Sequence, residues 1–122
     1  MRPAWAIALL AAAMAETTHG QAAESCAAPP VWSAADAKPG RPNQELSACL
    51  RSEAYKARDL HIPMVSMTNG IVAICEVEID RIEHAMVFDN ATMSDDQRRA
   101  IEQDVMRRAT AAATQYRSCA AG

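Results

Sequence analysis

The sequence predicts an all-α protein: a small three-helix bundle, made of an antiparallel helical hairpin plus a third helix, preceded by an extended Pro-rich arm and stapled by disulfides. Three observations predict it. From residue 43 onward apolar residues recur at spacings of three and four, no stretch alternates as a half-buried strand would, and four cysteines (Cys26, Cys49, Cys75 and Cys119) stand in a chain of 122 residues.

Residues 1–23 are expected to be a cleaved secretory signal peptide. A single early charge, Arg2, precedes an apolar run over 4–15, and small residues follow at Ala13, Ala15, Gly20, Ala22 and Ala23. Cleavage fits after Ala15 or after Ala22 or Ala23. The run is shorter than the roughly 20 apolar residues of a spanning helix, which argues against a membrane anchor. Glu24 and Ser25 before Cys26 also depart from a lipoprotein signal, so the expected product is soluble. Removing residues 1–23 leaves about 100 residues, one small domain with a thin core.

The arm, residues 24–42, concentrates prolines and shows no sustained period, apart from one short helical turn at 33–37. Trp32 is expected to pin it to the bundle, because ordering a polar, Pro-rich segment needs an apolar contact to offset its entropy. The bundle follows over 43–122. Helix one is expected to start at Asn43 as N-cap, with Glu45 in the first turn and an apolar face of Leu46, Cys49, Leu50, Ala54, Ala57 and Leu60. Pro63 ends the following turn, "HIP", and opens helix two.

Helix two is expected over 63–88. Its stripe is Met67, Ile71, Ile74, Cys75, Ile79, Ile82 and Met86; its wetter side is Glu76, Glu78, Asp80, Glu83 and His84. Gly70, a poor helix residue, is expected inside the helix where a neighbour approaches closely. The loop carries a glycosylation sequon at Asn90. Ser94 and Gln97 then form a capping box, with Asp95 and Asp96 in the first turn. Helix three runs from there to about Ser118 on Ile101, Val105, Ala109, Ala112, Ala113 and Tyr116.

Cysteines in even number in a short exported chain point to disulfides. Cys49 and Cys75 are equally far from Ile62, the middle of the hairpin turn, and both lie on apolar stripes. With helix axes about 8–10 Å apart and Cα atoms about 5.5–6 Å apart in a disulfide, they can be joined. Cys75 and Cys119 would be offset by roughly 15 Å along their helices at 1.5 Å rise per residue. The expected pairs are therefore Cys49 with Cys75, and Cys26 with Cys119, the second tying the arm to the end of helix three.

Little else carries chemistry. A net charge of −3 with the arginines of helix three interleaved with acids excludes a basic nucleic-acid surface. No C-x-x-C, no G-x-S-x-G and no Gly-rich phosphate loop occurs, so the expectation is a protein that is not an enzyme and needs no cofactor. Two sets of residues have metal-ligand character: Glu76, Asp80 and His84, four apart on one helix face, and His61, Met64 and Met67, whose thioethers suit Cu(I). The spacing of the first also arises on any solvated acidic face, and methionines commonly fill cores. No Glu-x-x-His pair is present, since Arg81 stands three before His84. The acids of helix two and Arg98, Arg99, Arg107, Arg108 and Arg117 of helix three form faces able to pair within the bundle or between copies, although such exposed pairs contribute little each.

The segment "ACLRSEAYKA" (48–57), followed by "AIC" (73–75) and an acidic helix, resembles small exported helical proteins of Gram-negative bacteria that bridge one cysteine on each of two helices. The likeness covers roughly residues 46–86. The chain is also distantly similar to periplasmic acid-stress chaperones of this size and two-helix disulfide design. That family works by opening at low pH; here Glu76, Glu78, Asp80, Glu83, Asp89, Asp95 and Asp96 would lose charge together, and the second cysteine pair would oppose opening. The expectation is a periplasmic or secreted helical protein that binds a protein partner or forms a homo-oligomer, the alternatives being an acid-activated holdase and a copper or zinc binder.

Overall fold

A computed structural model of the chain describes residues 26–87 and 92–121. The expected signal peptide and Asn90 lie outside the described residues. These hold four α-helices and no strand: α1 (Pro42–Lys56), α2 (Met64–Ile74), α3 (Glu76–Ala85) and α4 (Asp95–Ala121). The three-helix expectation is corrected in one place, where the second helix is broken in two.

The arm is extended except for one 3-10 turn, Ala34–Asp36, where the sequence placed it. Ser33 and Asp36 close it reciprocally: the Ala35 amide donates to Ser33 Oγ at 3.3 Å, and the Ser33 amide to Asp36 Oδ2 at 3.2 Å. Gly40, at φ 82°, then takes the left-handed conformation that turns the chain into α1.

Pro42, not Asn43, opens α1, with Arg41 at the N-cap. Proline fits the first helical position because its missing N–H would have no helical partner there. Asn43 is thereby left inside the helix, where its carbonyl oxygen accepts from Arg108 at 2.9 Å. At the other end α1 stops at Lys56 with Ala57 as C-cap. Leu60 falls beyond the helix and is 53% exposed, so it leaves the expected core stripe.

The break between α2 and α3 falls at Cys75, whose φ of −90° and ψ of 20° depart from helical values. Hydrogen bonds still bracket it, from the Cys75 amide to Ile71 O and from the Ile79 amide to Cys75 O, so the chain bends without leaving its course. The buried line continues as Met67, Ile71, Cys75, Glu78 and Ile82, while Ile74 and Met86, expected on it, are exposed. Glu78 has exchanged sides with them.

The capping box that starts α4 forms as the sequence indicates: the Gln97 amide donates to Ser94 Oγ and the Ser94 amide to Gln97 Oε1. Along α4, Ile101, Val105, Ala109, Ala112, Ala113 and Tyr116 are all buried. α1 and α2 both lean on this helix, and α3 leans on α1. Alanines at the contact let the axes come close, and Tyr116 fills the space near the hairpin turn, edge-on to Tyr55 with ring centres 5.5 Å apart.

Two disulfides close the architecture. Cys49 is joined to Cys75 across the hairpin, with Cα atoms 5.9 Å apart, and Cys26 to Cys119, with Cα atoms 5.6 Å apart. Both pairings are the expected ones, the first from the symmetry of the hairpin and the second as the pair that remains.

Candidate functional site

Two buried carboxylates hold the arm to the bundle. Glu78 Oε1 accepts from the Trp32 indole Nε1 at 2.8 Å, and the Trp32 amide donates to Ser52 Oγ at 3.2 Å. Glu45 accepts from the Lys38 amide at 2.6 Å through Oε1 and from Arg81 at 3.2 Å through Oε2. Glu78 has a donor from the arm, and Glu45 has one from the arm and one from α3, which is what permits their burial. Trp32 thus pins the arm, as its lone aromatic character suggested.

Glu78 also lies beside the inner disulfide: one carboxylate oxygen and the sulfurs of Cys49 and Cys75 fall within 4.8 Å of one another. The donor set is soft enough for a transition metal, but the sulfurs are bonded to each other and the carboxylate serves the indole. As folded, the cluster is a support for the arm.

Of the metal-ligand candidates read from the sequence, the carboxylate and histidine set is not gathered into one donor group. Glu76, Asp80 and His84 lie on the exposed side of α3, and the His84 ring nitrogen Nδ1 is 2.9 Å from the backbone oxygen of Asp80. No three donors gather there; among the described residues only the Cys49, Cys75 and Glu78 group does so. Of the second set, Met67 is buried and its sulfur accepts from Arg117, Met64 packs against the core, and His61 is exposed in the loop. The methionines are core filler. Four of the five arginines of α4 find partners other than the acids of α3: Arg99 pairs with Asp96, Arg107 and Arg108 with Asp104, and Arg117 donates to Ile62 O.

A groove of about 620 Å³ runs between the arm and the bundle, walled by Pro29, Pro30 and Trp32 with Ser47 and Arg108 at its floor. Its polar floor is already engaged, since Arg108 bonds Asn43 and Ser47 and ties α1 to α4.

The outer face of α2 is different. Residues 60–75 contain no Asp, Glu, Lys or Arg, in a chain that is 22% charged. Half of α2 is committed to the core through Met67, Thr68 and Ile71. On the other half Val65, Ser66, Asn69, Gly70, Ala73 and Ile74 are exposed, continuing into Val77 beyond the bend. Val65 is 67%, Ile74 62% and Val77 51% exposed. The face is uncharged rather than uniformly apolar, since Ser66, Asn69, Gly70 and Ala73 lie between Val65 and Ile74. The expected close neighbour of Gly70 is not found among the described residues: a Cβ built there meets nothing within 4 Å. Periodicity reads only the stripe facing the core, so this face went unseen; the signal available was the uncharged run itself.

Compared with known proteins, the chain matches no family, and neither a curated protein nor a solved structure is found similar to it.

Proposed function

We propose that this is a small exported helical protein, stapled by disulfides, that acts by binding a protein through the outer face of α2. The observation that carries the reading is the charge-free helix α2 with Val65 and Ile74 left open to solvent, and Val77 open just beyond it. Two disulfides, and the lack of any helix long and apolar enough to cross a membrane among the described residues, are consistent with a compartment outside the cytoplasm. The test is site-specific photo-crosslinking in cells exporting the chain, with the crosslinker at Val65 or Val77 and, for comparison, at Arg107 on the far side of α4. Adducts from the α2 positions alone support the reading, and equal labelling from all three positions, or none, refutes it.

A second reading, a holdase opened by acid, draws on Glu45 and Glu78. Protonation would remove the charged acceptors that fasten the arm, uncovering apolar surface beneath it. Binding of a hydrophobic dye at about pH 3, reversed on neutralisation, would favour it over the first, because that is the mark of a loosened compact state.

A further inference from the structure

We infer that Cys49, Cys75 and Glu78 form a zinc site when the inner disulfide is reduced, so that the sulfur–sulfur bond and the metal are alternative occupants of one buried position.

Placement is the first support. Cys49 comes from α1, Cys75 stands at the bend, and Glu78 follows three residues later in the first turn of α3, which puts it on the same side of the chain as Cys75. All three are buried, and one carboxylate oxygen lies within 4.8 Å of both sulfurs. Two Zn–S bonds of about 2.3 Å at a tetrahedral angle hold their sulfurs roughly 3.8 Å apart. Cysteines whose Cα atoms are 5.9 Å apart reach that spacing by turning their side chains, with the helices left where they are.

Charge is the second support, because Glu78 is a buried acid without a cation. Glu45, buried to the same degree, has Arg81 at 3.2 Å, whereas the donor to Glu78 among the described residues is the neutral indole of Trp32. The first turn of α3 favours a carboxylate but supplies no full charge. Buried carboxylates are as a rule paired or bound to a metal, and a divalent ion between Glu78 and the two sulfurs supplies the missing charge. The indole bond then acts as outer partners do at metal sites, holding the carboxylate in one orientation. Two thiolates and a carboxylate suit Zn(II) better than Cu(I), which softer, all-sulfur sites select. Water fills the fourth position of a zinc with three protein ligands.

Opening the site takes two electrons. With a phosphine as reductant, the S–S bond breaks, phosphorus becomes the phosphine oxide with oxygen from water, and the sulfurs take up the two protons that water gives. Zinc displaces both protons and binds the thiolates. On reoxidation an external disulfide accepts the two electrons and leaves as two thiols, the Cys49–Cys75 bond re-forms, and the ion is expelled.

The test uses the full exported chain, reduced by a phosphine in the absence of other thiols, with Zn(II) and, as a coloured reporter, Co(II). The oxidised chain should bind neither ion. The reduced chain should bind one equivalent, with thiolate-to-cobalt charge-transfer absorption and the visible bands of a tetrahedral ion, and zinc should raise its urea midpoint by replacing the lost crosslink. The double variant Cys26→Ser, Cys119→Ser should bind as the native chain does, and so should Glu76→Gln, which alters an exposed acid beside Cys75. Glu78→Gln, which keeps an acceptor for the indole and whose fold is checked in the oxidised form, should bind at least about tenfold more weakly, and Trp32→Phe about tenfold more weakly, the scale of an outer partner. If reduction melts the helices, zinc should restore them. A reduced chain that takes up no zinc, or that binds it and stays unfolded by circular dichroism, overturns the proposal. So does uptake that is lost with Cys26 and Cys119, or that Glu78→Gln leaves unchanged.

Discussion

The indole N–H of Trp32 donates to a carboxylate oxygen of Glu78 across 46 residues of sequence, at 2.8 Å. This one bond explains why an acid of α3 faces inward and why a segment with almost no helical structure is fixed in place. Trp32→Phe would retain the ring and leave Glu78 buried without its donor, at a cost of about 1–3 kcal/mol. Glu78→Gln keeps an acceptor and should cost clearly less. Urea unfolding followed by circular dichroism measures both, and because the only other tryptophan is Trp5, indole fluorescence in the native chain reports release of the arm.

The two disulfides should differ in access. Cys49 and Cys75 are buried, whereas Cys26 is exposed. Exchange needs a thiolate to reach a sulfur, so under native conditions a mild dithiol should open Cys26–Cys119 first. Alkylation followed by peptide mapping over time reads the order, and simultaneous loss of the two bonds would contradict it.

Removing the inner bond should be costly. Replacing Cys49 and Cys75 by alanine frees a loop of separation 26, worth roughly 3–4 kcal/mol in the chain-entropy account. The expected result is a fall in the urea midpoint large enough to leave a substantial unfolded fraction at moderate temperature.

Gly70→Ala should stabilise the folded monomer. The added methyl meets open space, and alanine is favoured over glycine in a helix interior by about 1 kcal/mol. The melting temperature of a dilute sample should rise, and a fall would mean that glycine is required by backbone geometry.

Ala109 and Ala113 on α4 are completely buried. Ala109→Leu forces extra volume between packed helices and should cost about 1–3 kcal/mol through displaced neighbours, visible as a lower denaturation midpoint. Thr110→Leu, one position along and only partly buried, should cost less.

These residues also show what local sequence can and cannot display. The capping box at Ser94, the stripe of α4 and the symmetric placing of Cys49 and Cys75 depend on neighbours within a turn or two, or on equal distances from a proline, and all were legible. The bend at Cys75 was not. Counting apolar residues favours Ile74 and Met86, while the folded chain buries Glu78, whose carboxylate accepts from Trp32 of the arm. Glu45 is hidden for the same reason, with Lys38 and Arg81 as its partners. Leu60 failed as a core residue because α1 ends before it, an outcome set by backbone bonds at Ala57 and not by its own hydrophobicity. The spacing of Glu76, Asp80 and His84 was legible as a pattern but not as a gathered donor set, since a shared helix face does not make side chains converge.

The outer disulfide has a mechanical side. By linking residues separated by 93 positions, it makes the arm and all four helices one closed circuit, hung from the rest of the polypeptide at a single point. Tension applied to residues before Cys26 and after Cys119 passes through the sulfur–sulfur link and bypasses the helices. Stretching the oxidised chain from its ends should therefore yield almost no extension, and reduction should release the full length of the loop.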